Sequence, residues 1–124
     1  MKIKKVSQPV AMVGSFESGS NENGSWIKYS DGTMICWNHF ITTDQAIDNQ
    51  YGSLYQGTRS ILFPQTFVEP PAGTCSQFQL GTGASWGAVM NTSVSSMTLR
   101  GFDITSRVAG AKCEISWTAI GKWK

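Results

Sequence analysis

Charge is scarce in this chain. Asp, Glu, Lys and Arg make up 15% of its 124 residues, against roughly 25% in an average soluble protein. Ten basic and eight acidic residues leave a net charge of +2. That is too small and too dispersed for the basic field that holds a nucleic acid. The one basic cluster, Lys2, Lys4 and Lys5, reads as a solvated terminal end. Long apolar runs are missing too. None approaches the ~18 residues of a membrane span, so no membrane insertion is expected. The stretch after the basic start, Val6–Val13, is broken by Ser7, Gln8 and Pro9 and makes a poor apolar region for a cleaved signal. Cysteine is limited to Cys36, Cys75 and Cys113, an odd set without a C-x-x-C pair. Zinc-finger and thioredoxin-like spacings are thereby excluded. The three read as small, buried, reduced side chains, which suits assembly in a cytosol, with a single disulfide plus one thiol as the alternative.

The residues of catalysis are equally thin. There is one histidine, His39, among aromatic neighbours in a strand-like stretch, and it reads as a hydrogen-bonded structural residue. No G-x-S-x-G elbow accompanies it. Asp44 and Asp48 are an acidic pair in the middle of the chain, better read as solvated loop charges than as metal ligands. A glycosidase needs two carboxylates across a scissile bond, and nothing selects such a pair among the eight acidic residues. Gly81–Gly87 imitates a phosphate loop poorly, with Trp86 where a dinucleotide pattern wants Gly and no helix after it. The expectation is a non-enzyme without a catalytic residue, cofactor or metal.

What the chain does have is ring-bearing and β-forming. Fourteen aromatics (11%) and a 40% hydrophobic share argue against disorder in a chain of single-domain length. The helical period is not sustained over any long window. Short stretches rich in β-branched and aromatic residues alternate with Gly, Ser, Asn, Asp and Pro, which predicts an all-β fold, a sandwich or barrel. Ser15–Gly24 is polar and Gly/Ser/Asn-rich, and reads as a linker. Strands are expected at Ser25–Ser30, Thr33–Phe40, Arg59–Phe63, Thr74–Leu80, Ser85–Met90, Met97–Ile104 and Lys112–Ile120. Asp31-Gly32 predicts a two-residue hairpin turn. In the second strand Met34, Cys36, Asn38 and Phe40 share one face, Thr33, Ile35, Trp37 and His39 the other. Both faces are largely apolar, which predicts a strand between two covered surfaces. Residues 41–58 read as a long loop or irregular strand, Phe63–Gly73 as a proline corner, Gly81–Ala84 as a turn and Asn91–Ser96 as a tip loop. The expected division is an N-terminal arm and linker, 1–24, followed by a β-sandwich head, 25–124.

Binding is the function such a composition supports. Sugars present flat C–H faces that rings cover, beside hydroxyls that amides, carboxylates and guanidinium groups satisfy. The variable segments place Tyr51, Tyr55, Arg59, Trp86 and Asn91 as candidate ligand contacts, with Asp44, Asp48 and Asn49 nearby. Trp26, Trp37 and Trp117 lie within strands and read as packing residues.

Three blocks carry a family resemblance. Asn23–Trp37 (NGSWIKYSDGTMICW) resembles the opening hairpin of bacteriophage tail-fibre and tail-tip C-terminal domains. Ile61–Phe67 with Pro70 is similar to their proline corner, and Ile115–Lys124 (ISWTAIGKWK) to their terminal strand. The resemblance implies a lectin-like antiparallel β-sandwich related to the H-type lectins, assembled as a homotrimer. It implies a receptor-binding head on a virion tail, assembled in the host bacterial cytoplasm beside other tail proteins, whose partner is a cell-surface polysaccharide or other glycan. The matching blocks are scaffold, so no ligand residue is carried over. Two other functions compete: a structural fibre cap or adaptor without a ligand, and a glycan-degrading tail enzyme.

Overall fold

A computed structural model describes residues 16–80 and 84–124. These form nine strands: β1 (Phe16–Asn21), β2 (Gly24–Tyr29), β3 (Thr33–Thr42), β4 (Asn49–Tyr51), β5 (Leu54–Leu62), β6 (Ala72–Leu80), β7 (Ser85–Thr92), β8 (Ser96–Asp103) and β9 (Cys113–Lys122). Two antiparallel sheets, ordered β1-β2-β3-β9-β6 and β4-β5-β8-β7, face each other as a sandwich. The all-β expectation holds. The expected arm lies mostly outside the described residues, as does most of the Gly81–Ala84 turn.

Period-two alternation sets the layers. In β9, Cys113, Ile115, Trp117 and Ala119 are buried, and in β8 Met97, Leu99, Gly101 and Asp103 are. β3 turns Met34 and Cys36 inward. Trp37, Ile41 and His39 stay exposed, so one face of this strand is covered within the chain and not two. Phe63 and Phe67 from the proline corner close the core edge-to-face, at 5.1 Å between centroids, and Phe63 leans on Trp117. The cysteines are free thiols. Burial pushes Cys36 and Cys113 up to about 11, so both stay protonated.

Three local readings change. Ser15–Gly24 is no linker throughout, because β1 pairs with β2 residue for residue from Phe16↔Tyr29 to Asn21↔Gly24. An edge strand needs main-chain bonds more than apolar side chains, and Gly19 leaves room for the Trp26 ring that lies across it. The Asp31-Gly32 hairpin has a three-residue loop, Ser30–Gly32. It is closed by the Gly32 N–H on the Tyr29 carbonyl at 3.0 Å, with Gly32 at φ 99°. The irregular stretch 41–58 resolves into the end of β3, a loop bridged at Ile47↔Arg107, β4, and the first half of β5.

The sheets meet over a row of glycines. Gly57, Gly101 and Gly87 stand opposite one another across β5, β8 and β7. Phe78 of β6 fills the furrow left by Gly101 and Gly87. A Cβ at Gly87 would stand 2.6 Å from the Phe78 Cβ, and one at Gly101 would run into the Phe78 ring. Gly57 takes the Ala46 carbonyl against its bare Cα. Valine suits a strand surface better than glycine does, so loss of stability in Gly101→Val isolates the collision. Chemical denaturation should show that variant destabilised by ~1–3 kcal/mol, the usual cost of overpacking. Adding Phe78→Leu should recover part of the loss, and purely additive effects would refute the contact.

Candidate functional site

The outer face of the four-stranded sheet carries an aromatic platform. Trp86 and Phe102 are cross-strand partners on β7 and β8. Their rings lie 25° from parallel, with centroids 5.8 Å apart. Tyr51, from β4 on the far side of β5, approaches Phe102 at 6.1 Å. The Arg100 guanidinium sits over both, 5.3 Å from the Tyr51 ring and 6.0 Å from that of Phe102. One of its terminal N–H groups points at the Met90 sulfur, 3.4 Å away. Tyr51 and Trp86 are about half exposed, so their rings offer apolar surface to solvent, with Tyr51 tilted 57° from Phe102.

A buried carboxylate holds this surface from beneath. Ser85↔Asp103 is the register pair next to Trp86↔Phe102, and it faces inward. Asp103 is fully buried. It accepts hydrogen bonds from the Ser85 hydroxyl at 2.5 Å, the Thr105 N–H at 2.8 Å, the Thr105 hydroxyl at 3.1 Å and Arg107 Nε at 3.0 Å. Burial alone would raise its pKa. The hydrogen bonds from Ser85, Thr105 and Arg107 outweigh that and hold the carboxyl below the ordinary carboxylate value. Arg107 exchanges main-chain hydrogen bonds with Ile47, so the same carboxylate ties the 104–111 loop to the loop before β4.

The candidates from the sequence separate into two groups. Tyr51, Trp86 and Asn91 lie on the outer face, with Asn91 beyond the bulge at the far end of β7. Tyr55 and Arg59 alternate inward. Tyr55 packs against the core, and Arg59 pairs with Asp44 at 2.6 Å and lies over the Phe40 ring at 5.6 Å. The Thr42 hydroxyl and Arg59 hold the Asp44 carboxyl below its usual range. Arg100, Phe102 and Met90 escaped the sequence reading. Their signal was present: Thr98, Arg100 and Phe102 alternate with the apolar Met97 and Leu99, which marks them as the opposite face.

His39 lies exposed on the outer face of the other sheet, 3.3 Å from Glu114. Among the described residues, no group of three or more His, Cys, Asp or Glu could hold a metal ion.

No protein-family model and no curated protein matches the chain. Solved structures do. An N-truncated R1-type pyocin tail fibre superposes with a TM-score of 0.56 at 18% identity, over 86% of this chain and 84% of that one. The R2 pyocin fibre of P. aeruginosa superposes with a TM-score of 0.54 at 17% identity. This match covers 86% of the present chain, which spans about a quarter (26%) of that structure.

Removing the carboxylate tests its part beneath the platform. Asp103→Ala should lose about 2–3 kcal/mol in denaturant titrations, because buried donors lose their acceptor while Arg107 can still reach water. A lowered folded-state pKa means that Asp103 stabilises the fold fully above its unfolded value near ~3.9 and that this is lost as pH falls through the folded value. The wild type should therefore lose stability below about pH 4, and the gap to the variant should narrow there.

The chain shares its two-sheet fold with the tail fibres of R-type pyocins.

Proposed function

We propose that this chain is a receptor-binding head of a phage or prophage tail fibre, and that it holds a host-surface glycan on the four-stranded sheet by non-catalytic binding. The observation that carries this reading is the platform of half-exposed Tyr51 and Trp86 around the partly buried Phe102, with Arg100 across it. Such an arrangement supplies what a sugar needs: ring faces for its C–H surface, and guanidinium N–H groups for its oxygens. The likeness in fold to pyocin tail fibres supports a place on a tail.

Among the strand residues facing outward from this sheet, Arg100 carries the one formal charge. A glycan bearing carboxylate or phosphate groups therefore suits the platform better than a neutral one. A shallow site of this kind is weak singly. Several copies linked on one particle gain on the order of 10²–10⁴ in avidity.

Homotrimer formation belongs to the same proposal. The outer face of the five-stranded sheet sets Ile27, Ile35 and Ile120 side by side across β2, β3 and β9, beside the half-exposed Trp37. Sister protomers would cover this band, and interfaces of that kind resemble a core cut in half.

Glycan binding by the intact particle tests the reading. Trp86→Ala should weaken binding about fivefold, since a lost ring stack is worth ~1 kcal/mol, and should lower the melting temperature by a few degrees through loss of the stack on Phe102 without unfolding the chain. Arg100→Gln should flatten the salt dependence of binding to acidic polysaccharide. Unchanged affinity in both variants would remove the platform from the site. Shortening of the polysaccharide during incubation would favour a degrading enzyme instead. Light scattering should give three chains per particle, and Ile35→Lys should give one.

A further inference from the structure

The chain's three arginines are held in different ways. Arg59 pairs with Asp44 and Arg107 with Asp103, at 2.6 and 3.0 Å. Arg100 has no carboxylate partner among the described residues. Its guanidinium lies over Tyr51 and Phe102 instead, and one terminal N–H meets the Met90 sulfur, a weak acceptor. Its Nε–H is closed off from solvent and has no acceptor. On the same face Gln56, the β5 partner of Phe102, has its side-chain oxygen closed off without a donor.

This arrangement works against a neutral sugar. The guanidinium occupies ring surface of Tyr51 and Phe102 that a C–H face would cover, and Trp86 takes part of Phe102 as well. The arrangement is also readily undone. Attraction between cation and rings holds Arg100 down. Holding it down leaves the Nε–H without an acceptor, at a cost of the same order. A carboxylate or phosphate accepts two guanidinium N–H groups side by side and is a far better partner than a sulfur. Arg100 is only partly buried, so an anion can approach the rest of the group.

We propose that Arg100 gates the platform: lying on Tyr51 and Phe102 it hinders neutral sugars, and the anionic group of an acidic sugar lifts it off the rings and uncovers the surface on which that same sugar packs. The proposal rests on the glycan-binding reading above. It goes further, because the ligand's charge becomes a condition of ring contact and not merely one contact more. A neutral sugar finds only the fraction of molecules whose rings are bare, and its affinity falls by that fraction. An acidic sugar adds a paired guanidinium to the open state and draws the equilibrium towards it.

Glucose, glucuronate and glucose 6-phosphate, titrated separately into the full chain, test the gate by nuclear magnetic resonance. The two acidic sugars differ from glucose by a carboxylate and a phosphate, so the set separates charge from ring shape. The Tyr51 and Trp86 ring signals, identified from Tyr51→Leu and Trp86→Ala, report packing of the sugar. The Arg100 Nε–H signal, identified by its loss in Arg100→Ala or Arg100→Gln, reports the gate. At least one acidic sugar should move all three and bind at least about tenfold tighter than glucose, the lower worth of a hydrogen bond to a charged group. In Arg100→Ala that preference should vanish. Glucose should then bind about fivefold tighter than it does to the wild type, as ~1 kcal/mol of cation–ring attraction predicts. Arg100→Gln should do the same if Arg100→Ala fails to fold. Loss of acidic-sugar binding in the variant without a gain for glucose makes Arg100 an ordinary contact and overturns the gate while the platform stands. Equal binding of glucose and the acidic sugars by the wild type also overturns it, as does ring movement without Arg100 movement or the reverse. Rings silent toward both acidic sugars in the wild type overturn the gate, and rings silent toward glucose in the variant as well overturn the platform with it.

Discussion

Two sheets of a small sandwich pack about 10 Å apart when ordinary side chains interdigitate between them. Here one sheet contributes bare backbone at the place of contact. Gly57, Gly101 and Gly87 form a file across three strands, and Phe78 of the opposite sheet lies against Gly101 and Gly87. The close approach goes with the register that sets Gly87 opposite Gly101. Each residue along β7 is thereby assigned a side, and Ser85 and Trp86 fall on opposite faces. The inward residue binds Asp103 and the outward one stacks on Phe102. Core and surface are coupled at successive residues.

That coupling gives the aromatic platform its rigidity. Exposed rings on a lone hairpin would sample many rotamers and lose entropy on binding a ligand. Here Trp86 and Phe102 rest on strands pinned from below by a buried carboxylate with four hydrogen bonds, and Arg100 bridges Phe102 to Tyr51 two strands away.

Much of the fold was legible in the residues. The alternation of Cys113, Ile115, Trp117 and Ala119 identifies a strand with one buried face, and the same holds for Met34 and Cys36 in β3. β1 was harder to read, because FESGSN has no apolar alternation and is a strand by virtue of its pairing with β2. The stretch 41–58 was unreadable for a related reason. Its order comes from Ile47 and Arg107 meeting across sixty residues and from Asp103 tying both loops together. The site was half legible. Tyr51 and Trp86 stand out as rings in polar surroundings, while Phe102 and Arg100 resembled ordinary strand residues until the inward partners of β8 were known.

Local chemistry settled the architecture: period-two patterning, Asp and Gly at the β2–β3 hairpin, and prolines at the corner dictate short antiparallel strands, because those preferences act between neighbours in the chain. Which rings gather was decided in three dimensions. Tyr51, Trp86, Arg100 and Phe102 come from three separate strands, and whether a strand residue faces in or out depends on register, which long-range pairing sets. For the same reason Tyr55 and Arg59, as suitable in kind for a sugar as Tyr51, point into the sandwich: they share the β5 face of the buried Gly57 and Ile61, while Tyr51 on β4 pairs with Leu54 on the opposite face.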